Sequence, residues 1–179
     1  MKKTSKTALG GIVAALSVAA MFVLSVIESM TYAVPAIAGA FLVLVVVESG
    51  KKWAAGVYAV VSIMSLMLIP NKEAAVMYTA FFGYYPVLKA VLEERTPKWL
   101  EWIIKLAVFN AAMLLAYWFV KLLIGVGLEE LGGEFLGRYA VPVLLLVANV
   151  MFLLYDFALT QYISLYVKRG RKYFKRFFR

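Results

Sequence analysis

Asp156 raises the sharpest chemical question in this chain, because it lies in a long apolar run where a carboxylate has no water to solvate it. An ionisable group at the centre of a bilayer costs at least about 2.5–3.5 kcal/mol, so it needs a partner or a purpose. Lys89 and Lys105 fall at similar depth in two other apolar runs. A structural ion pair between Asp156 and one of these lysines is the plain reading. An ion- or proton-coupling carboxylate is the sharper one, and it lacks the second carboxylate at that depth that such chemistry favours. Asn149, Leu153, Thr160 and Ser164 recur at spacings of three and four around Asp156, which stacks them on one helical face.

Polar and aromatic residues recur in other runs at the same spacing. Tyr78, Phe82, Tyr85 and Lys89 share a face, with Pro86 breaking the backbone pattern nearby. Asn110, Tyr117 and Lys121 share another, and Tyr58, Ser62 and Ser65 a third. Such stripes serve as packing surfaces or interface anchors. Tyr78 and Lys121 also fall close to links carrying Glu28, Tyr32, Asn71, Glu73 and Arg138. Ring faces with a few orienting polar groups are what a pocket for a small organic molecule requires.

Other chemistries lack their residues. The chain has no Cys and no His, so thiolate and imidazole catalysis and the usual zinc, copper, nickel or cobalt sites have no ligands. Only oxygen-ligand sites for harder cations survive. No Gly-rich Lys-Ser/Thr phosphate loop is present, so any use of ATP belongs to a partner. An enzyme is not expected, and no cofactor is implied. A lipid-acting enzyme would need clustered acid and base groups, for which Asp156 is the one candidate.

The elements that must position these residues are apolar runs. The chain has 179 residues, 64% of them hydrophobic, and a spanning helix takes about 20, so a single domain of six spans uses nearly all of it. The runs cover Thr7 to Ile27, Ala33 to Val47, Ala54 to Ile69, Ala74 to Leu92, Trp99 to Ile124 and Arg138 to Val167. Pro70 closes the third, since it cannot extend the hydrogen-bond ladder. Of the 19 Lys and Arg, 16 fall on one side of this arrangement, and Lys72, Lys121 and Arg138 on the other. The positive-inside rule then predicts an all-α polytopic protein of six transmembrane helices in the plasma membrane, prokaryotic by the family likeness described below, with both termini cytoplasmic. A Lys-rich start and Ser17-Val18-Ala19-Ala20 also fit a cleaved secretory signal, but the apolar run continues unbroken through Met21 to Ile27, which suits a retained anchor.

Three surfaces complete the reading. Gly11, Ala15 and Ala19 form a small-residue groove that lets another helix approach, with Gly10 and Ala14 as a second row. The tail from Lys168 to Arg179 mixes cations with aromatics and should lie on anionic lipid, a better use of the +9 net charge than nucleic acid. The link from Gly125 to Gly137 is either a connector or a lid.

With six spans and cytoplasmic termini, the chain resembles the substrate-binding S component of energy-coupling-factor (ECF) transporters. Ala15 and Ala19 match that family's alanine-xxx-alanine face. Pro35-Ala36-Ile37-Ala38-Gly39, Pro70-Asn71-Lys72-Glu73-Ala74-Ala75 and Phe82-Gly83-Tyr84-Tyr85-Pro86 read like members of the group. The resemblance implies capture of a vitamin or similar micronutrient from outside, and docking through Gly11, Ala15 and Ala19 on a scaffold subunit driven by two ATPases. It points the pocket to the neighbourhood of Tyr32, Asn71, Glu73, Tyr78, Tyr117, Lys121 and Asn149. The alternative is a membrane interaction or assembly protein with no small-molecule pocket.

Overall fold

The computed structural model describes residues 3–24, 27, 30–124 and 140–171, all of its elements helical. In chain order these are α1 (Lys3–Leu24), α2 (Ala33–Ser49), α3 (Lys51–Leu68), α4 (Lys72–Met77), a π-helical turn (Tyr78–Phe82), α5 (Tyr85–Arg95), α6 (Lys98–Ile124) and α7 (Ala140–Leu165). A second π-turn, Tyr166–Gly170, extends α7. Among the described residues, five helical stretches are long and apolar enough to cross a membrane, with α4, the π-turn and α5 counting as one. The sixth, α2, has 17 residues, at the short limit for a span.

Periodicity explains the packing. α1 buries Leu9, Gly10, Val13, Ala14, Ser17 and Met21, one face at spacings of one, three and four, against α2 and α3. Ser17 on that face donates to the Ala38 carbonyl at 3.3 Å. Gly50 joins α2 to α3 with φ of 94°, a left-handed conformation glycine adopts freely, and its N–H closes α2 by reaching the Val45 and Val46 carbonyls. α3 ends at Leu68, just short of Pro70.

α2 is the pivot of the bundle. Its Leu42 and Val45 belong to a core shared with α1, α3 and Tyr78. Its Val43 belongs to a second core with Phe81, Tyr85, Phe109, Phe152 and Leu159. In that second core the Phe81 ring lies 4.8 Å from Tyr85, 4.9 Å from Phe109 and 5.5 Å from Phe152. Phe109 and Phe152 stack at 4.6 Å, which fastens α7 to α6. Of the described side chains of α7, only Phe152, Asp156 and Leu159 are buried.

Pro86 accounts for the break between α4 and α5. It has no N–H to offer the carbonyl four residues back, that of Phe82. Gly83 instead closes the π-turn by donating to Tyr78 at 2.8 Å. The Phe82 carbonyl lies against Gly39 of α2, where an added Cβ would come within 2.3 Å of the oxygen. Close approach at this crossing therefore depends on glycine.

The turns sort the bundle into two ends. At the basic end, Lys51 pairs with Glu94, and Arg171 reaches Glu48 at 3.2 Å. The far end holds the α1–α2 and α3–α4 links.

Candidate functional site

At the far end the structure joins two links through four side chains. Asn71 caps α4, its side-chain oxygen accepting from the Ala74 N–H at 3.1 Å, and its amide donates to Thr31 at 3.0 Å. The Tyr32 hydroxyl donates to Glu73 at 2.5 Å. Although 57% of Tyr32 is exposed, desolvation of its phenol and the neighbouring Glu73 carboxylate push its pKa up to about 12. Tyr32, Asn71 and Glu73 thus form one cluster.

The remaining predicted pocket residues lie in other places. Tyr78 is fully buried in the core shared by α1, α2 and α3, its ring 6.3 Å from Tyr58. Tyr117 and Lys121 share a face of α6, the ammonium 6.0 Å from the Tyr117 ring and 5.9 Å from the Trp118 ring. Asn149 of α7 exchanges two hydrogen bonds of 2.9 Å with Asn110 of α6, and each amide also donates to its own helix. The hydroxyls of Tyr78 and Tyr117 are buried with no hydrogen-bond partner among the described residues, a condition that costs about 1–3 kcal/mol per group. A cleft of about 610 Å³ opens between α3, α4 and α6, and none of the seven predicted pocket residues lines it. Glu28, Arg138, the link from 125 to 137 and the tail from 172 onward lie outside the described residues.

Toward the basic end the structure gathers Asp156, Lys89 and Lys105. One carboxylate oxygen of Asp156 accepts from Lys89 at 2.6 Å, from Lys105 at 3.2 Å and from the Tyr85 hydroxyl. Two further carboxylates join them. Glu101 receives Lys105 at 2.5 Å, and Glu93 lies 2.6 Å from Lys89 and 3.4 Å from Lys105. Sequence reasoning missed Tyr85, Glu93 and Glu101 as members of this group, although two signals were present. Lys89–Glu93 and Glu101–Lys105 are both four apart, the spacing of a helical ion pair. Glu93 lies just past the apolar run that ends at Leu92, and its side chain is 41% exposed.

The four buried charged members, Lys89, Lys105, Glu101 and Asp156, carry two charges of each sign and so cancel. With one oxygen accepting from three donors, Asp156 is committed to holding α5, α6 and α7 together. That arrangement suits a structural clamp better than a group that must give up and regain a proton.

Of the two small-residue rows of α1, only one faces away from the bundle; Gly10 and Ala14 of the second row are buried, because they pack toward α2 and α3. Gly11, Ala15 and Ala19 are all exposed, while Val13, Ser17 and Met21 on the opposite face are buried. Gly10 and Gly11 with Ala14, Gly56 and Trp53 line a groove of about 500 Å³ between α1 and α3.

Helices of this length and apolarity define the class as an all-helical protein compatible with several membrane crossings. Comparisons with protein-family models, curated proteins and solved structures returned no match.

Proposed function

We propose that this chain is the substrate-capturing membrane subunit of an ECF-type importer. It takes a vitamin or similar micronutrient at the far end and docks on a scaffold subunit through α1. The carrying observation is the uncovered stripe Gly11, Ala15 and Ala19, beside the shallow groove between α1 and α3. Small side chains in lipid let a second helix backbone approach closely, which is how helices associate where no hydrophobic force separates lipid from protein. At the far end Tyr32, Asn71 and Glu73 offer polar and aromatic groups for a solute, and Tyr117 and Lys121 near the end of α6 offer a separate aromatic and cationic pair.

One experiment addresses both halves. The native protein is purified from its own membranes and screened for heat stabilisation against a panel of vitamins. Co-purification of a membrane scaffold with ATPases, and a melting shift with one compound, are expected. Ala15→Leu with Ala19→Leu should abolish co-purification and leave the melting temperature unchanged. Absence of such partners from the wild-type preparation sinks the importer reading.

A second reading is favoured by the cleft between α3, α4 and α6, whose walls are almost wholly apolar. On that reading the protein is an assembly partner with the same α1 face and no solute. It predicts co-purification without any stabilising metabolite.

A further inference from the structure

We propose that the cleft between α3, α4 and α6 holds one acyl chain of an anionic phospholipid, with Lys72 at its mouth binding the headgroup phosphate. The cleft volume of about 610 Å³ lies within the range of about 300–1,000 Å³ typical of ligand sites. Its length follows from the α6 wall. From Val108 to Phe119 is eleven helical steps, or about 16 Å of helix, reaching from the far end to mid-depth. That is the geometry of one chain lying within one leaflet.

The sequence makes this slot with alanines. Ala111, Ala112 and Ala116 face it from α6, where larger side chains would have filled the space against α4. Leu66, Leu115 and Phe119, which border it, are themselves exposed at the bundle surface, so the cleft opens sideways to lipid. The lining offers a polar solute little to hold. Among its residues only Thr79 and Tyr84 carry a polar side-chain atom, and the Thr79 hydroxyl already donates to the Ala75 carbonyl at 2.9 Å.

Charge selects the occupant. Lys72 is exposed at the first turn of α4, its ammonium 2.9 Å from the carbonyl of Leu66, a wall residue of the cleft. The ammonium thus stands at the rim at headgroup depth. The neighbouring carboxylate, Glu73, is held by Tyr32. An apolar slot of one-leaflet depth with a cation at its surface end matches a phospholipid, and an anionic one above a zwitterionic one.

The test is native mass spectrometry of the full chain after extraction from vesicles of equal phosphatidylglycerol and phosphatidylcholine. Wild type should retain one phospholipid through detergent exchange, with phosphatidylglycerol preferred about fivefold. Ala111→Phe places bulk in the cleft from an exposed position, so the fold survives, and should remove the retained lipid. Lys72→Gln should keep one lipid and lose the preference. A wild type that keeps no lipid, an Ala111→Phe variant that keeps as much, or an unchanged preference in Lys72→Gln overturns the proposal. So does finding a vitamin or a second copy of the chain displaced by Ala111→Phe instead.

Discussion

Asp156 is held by three donors on one oxygen, so its removal is felt by every helix it joins. Asp156→Asn would leave Lys89 and Lys105 sharing the remaining carboxylates. Breaking a buried pair costs about 3–5 kcal/mol, and the low end applies because Glu93 still reaches Lys89. Denaturant unfolding in detergent should show that loss. Asp156→Leu combined with Lys89→Met should recover much of it, since Lys105 and Glu101 remain balanced. A second residue-scale expectation concerns Tyr32. Its phenol is raised from 10.0 to about 12 in the folded state, so folding favours the protonated form. That contribution is fully present below pH 10 and is lost as pH rises through about 12. Ultraviolet titration of phenolate, read as the difference between wild type and Tyr32→Phe, should place Tyr32 near 12, and Glu73→Gln should draw that difference transition toward 10. No such movement would mean that the Tyr32–Glu73 bond is not formed in solution.

At the scale of elements, the crossing of α2 over the π-turn is the most demanding contact. A Cβ on Gly39 would stand 2.3 Å from the Phe82 carbonyl and 3.0 Å from the Tyr155 hydroxyl. A backbone oxygen cannot swing aside as a side-chain tip can. Gly39→Ala should therefore destabilise by about 1–3 kcal/mol or more, read as a lowered melting temperature. Gly11→Ala meets nothing within 4 Å and should be silent in the same assay. The contrast separates glycines that permit packing inside the bundle from those on its surface. The sequence marked Pro86 as a breaker, and the structure shows the consequence as a π-turn with a short non-helical join. That the freed Phe82 carbonyl would meet Gly39 was not legible, because those residues are more than forty positions apart.

At the scale of the whole molecule, the chain lends itself to a clean topology experiment because it contains no native cysteine. Single cysteines at Lys52 and Lys98 should be labelled only after the membrane is opened from the cytosolic side. A cysteine at Lys72 should react with impermeant reagent on intact cells. The reverse pattern would place the Tyr32–Glu73 cluster in the cytosol and remove the importer reading.

Much of this architecture was open to inspection in the residue string. Run lengths, the Pro70 stop, the one-sided basic residues and the small-residue stripe of α1 all follow from local chemistry, because apolarity and helical period are properties of neighbouring residues. The partners of Asp156 were half legible. Lys89 and Lys105 could be named from depth, and Glu93 and Glu101 from their four-residue spacing to those lysines, but their convergence with Tyr85 around Asp156 could not, since depth does not say which way a helix is rotated. The seven residues expected to share one pocket show the same boundary. Tyr32, Asn71 and Glu73 meet, while Tyr78 turns into the first core and Asn149 pairs with Asn110. Rotation, crossing and the alanine-lined cleft come from side chains of different helices competing for one volume, and that competition is settled only when the helices pack.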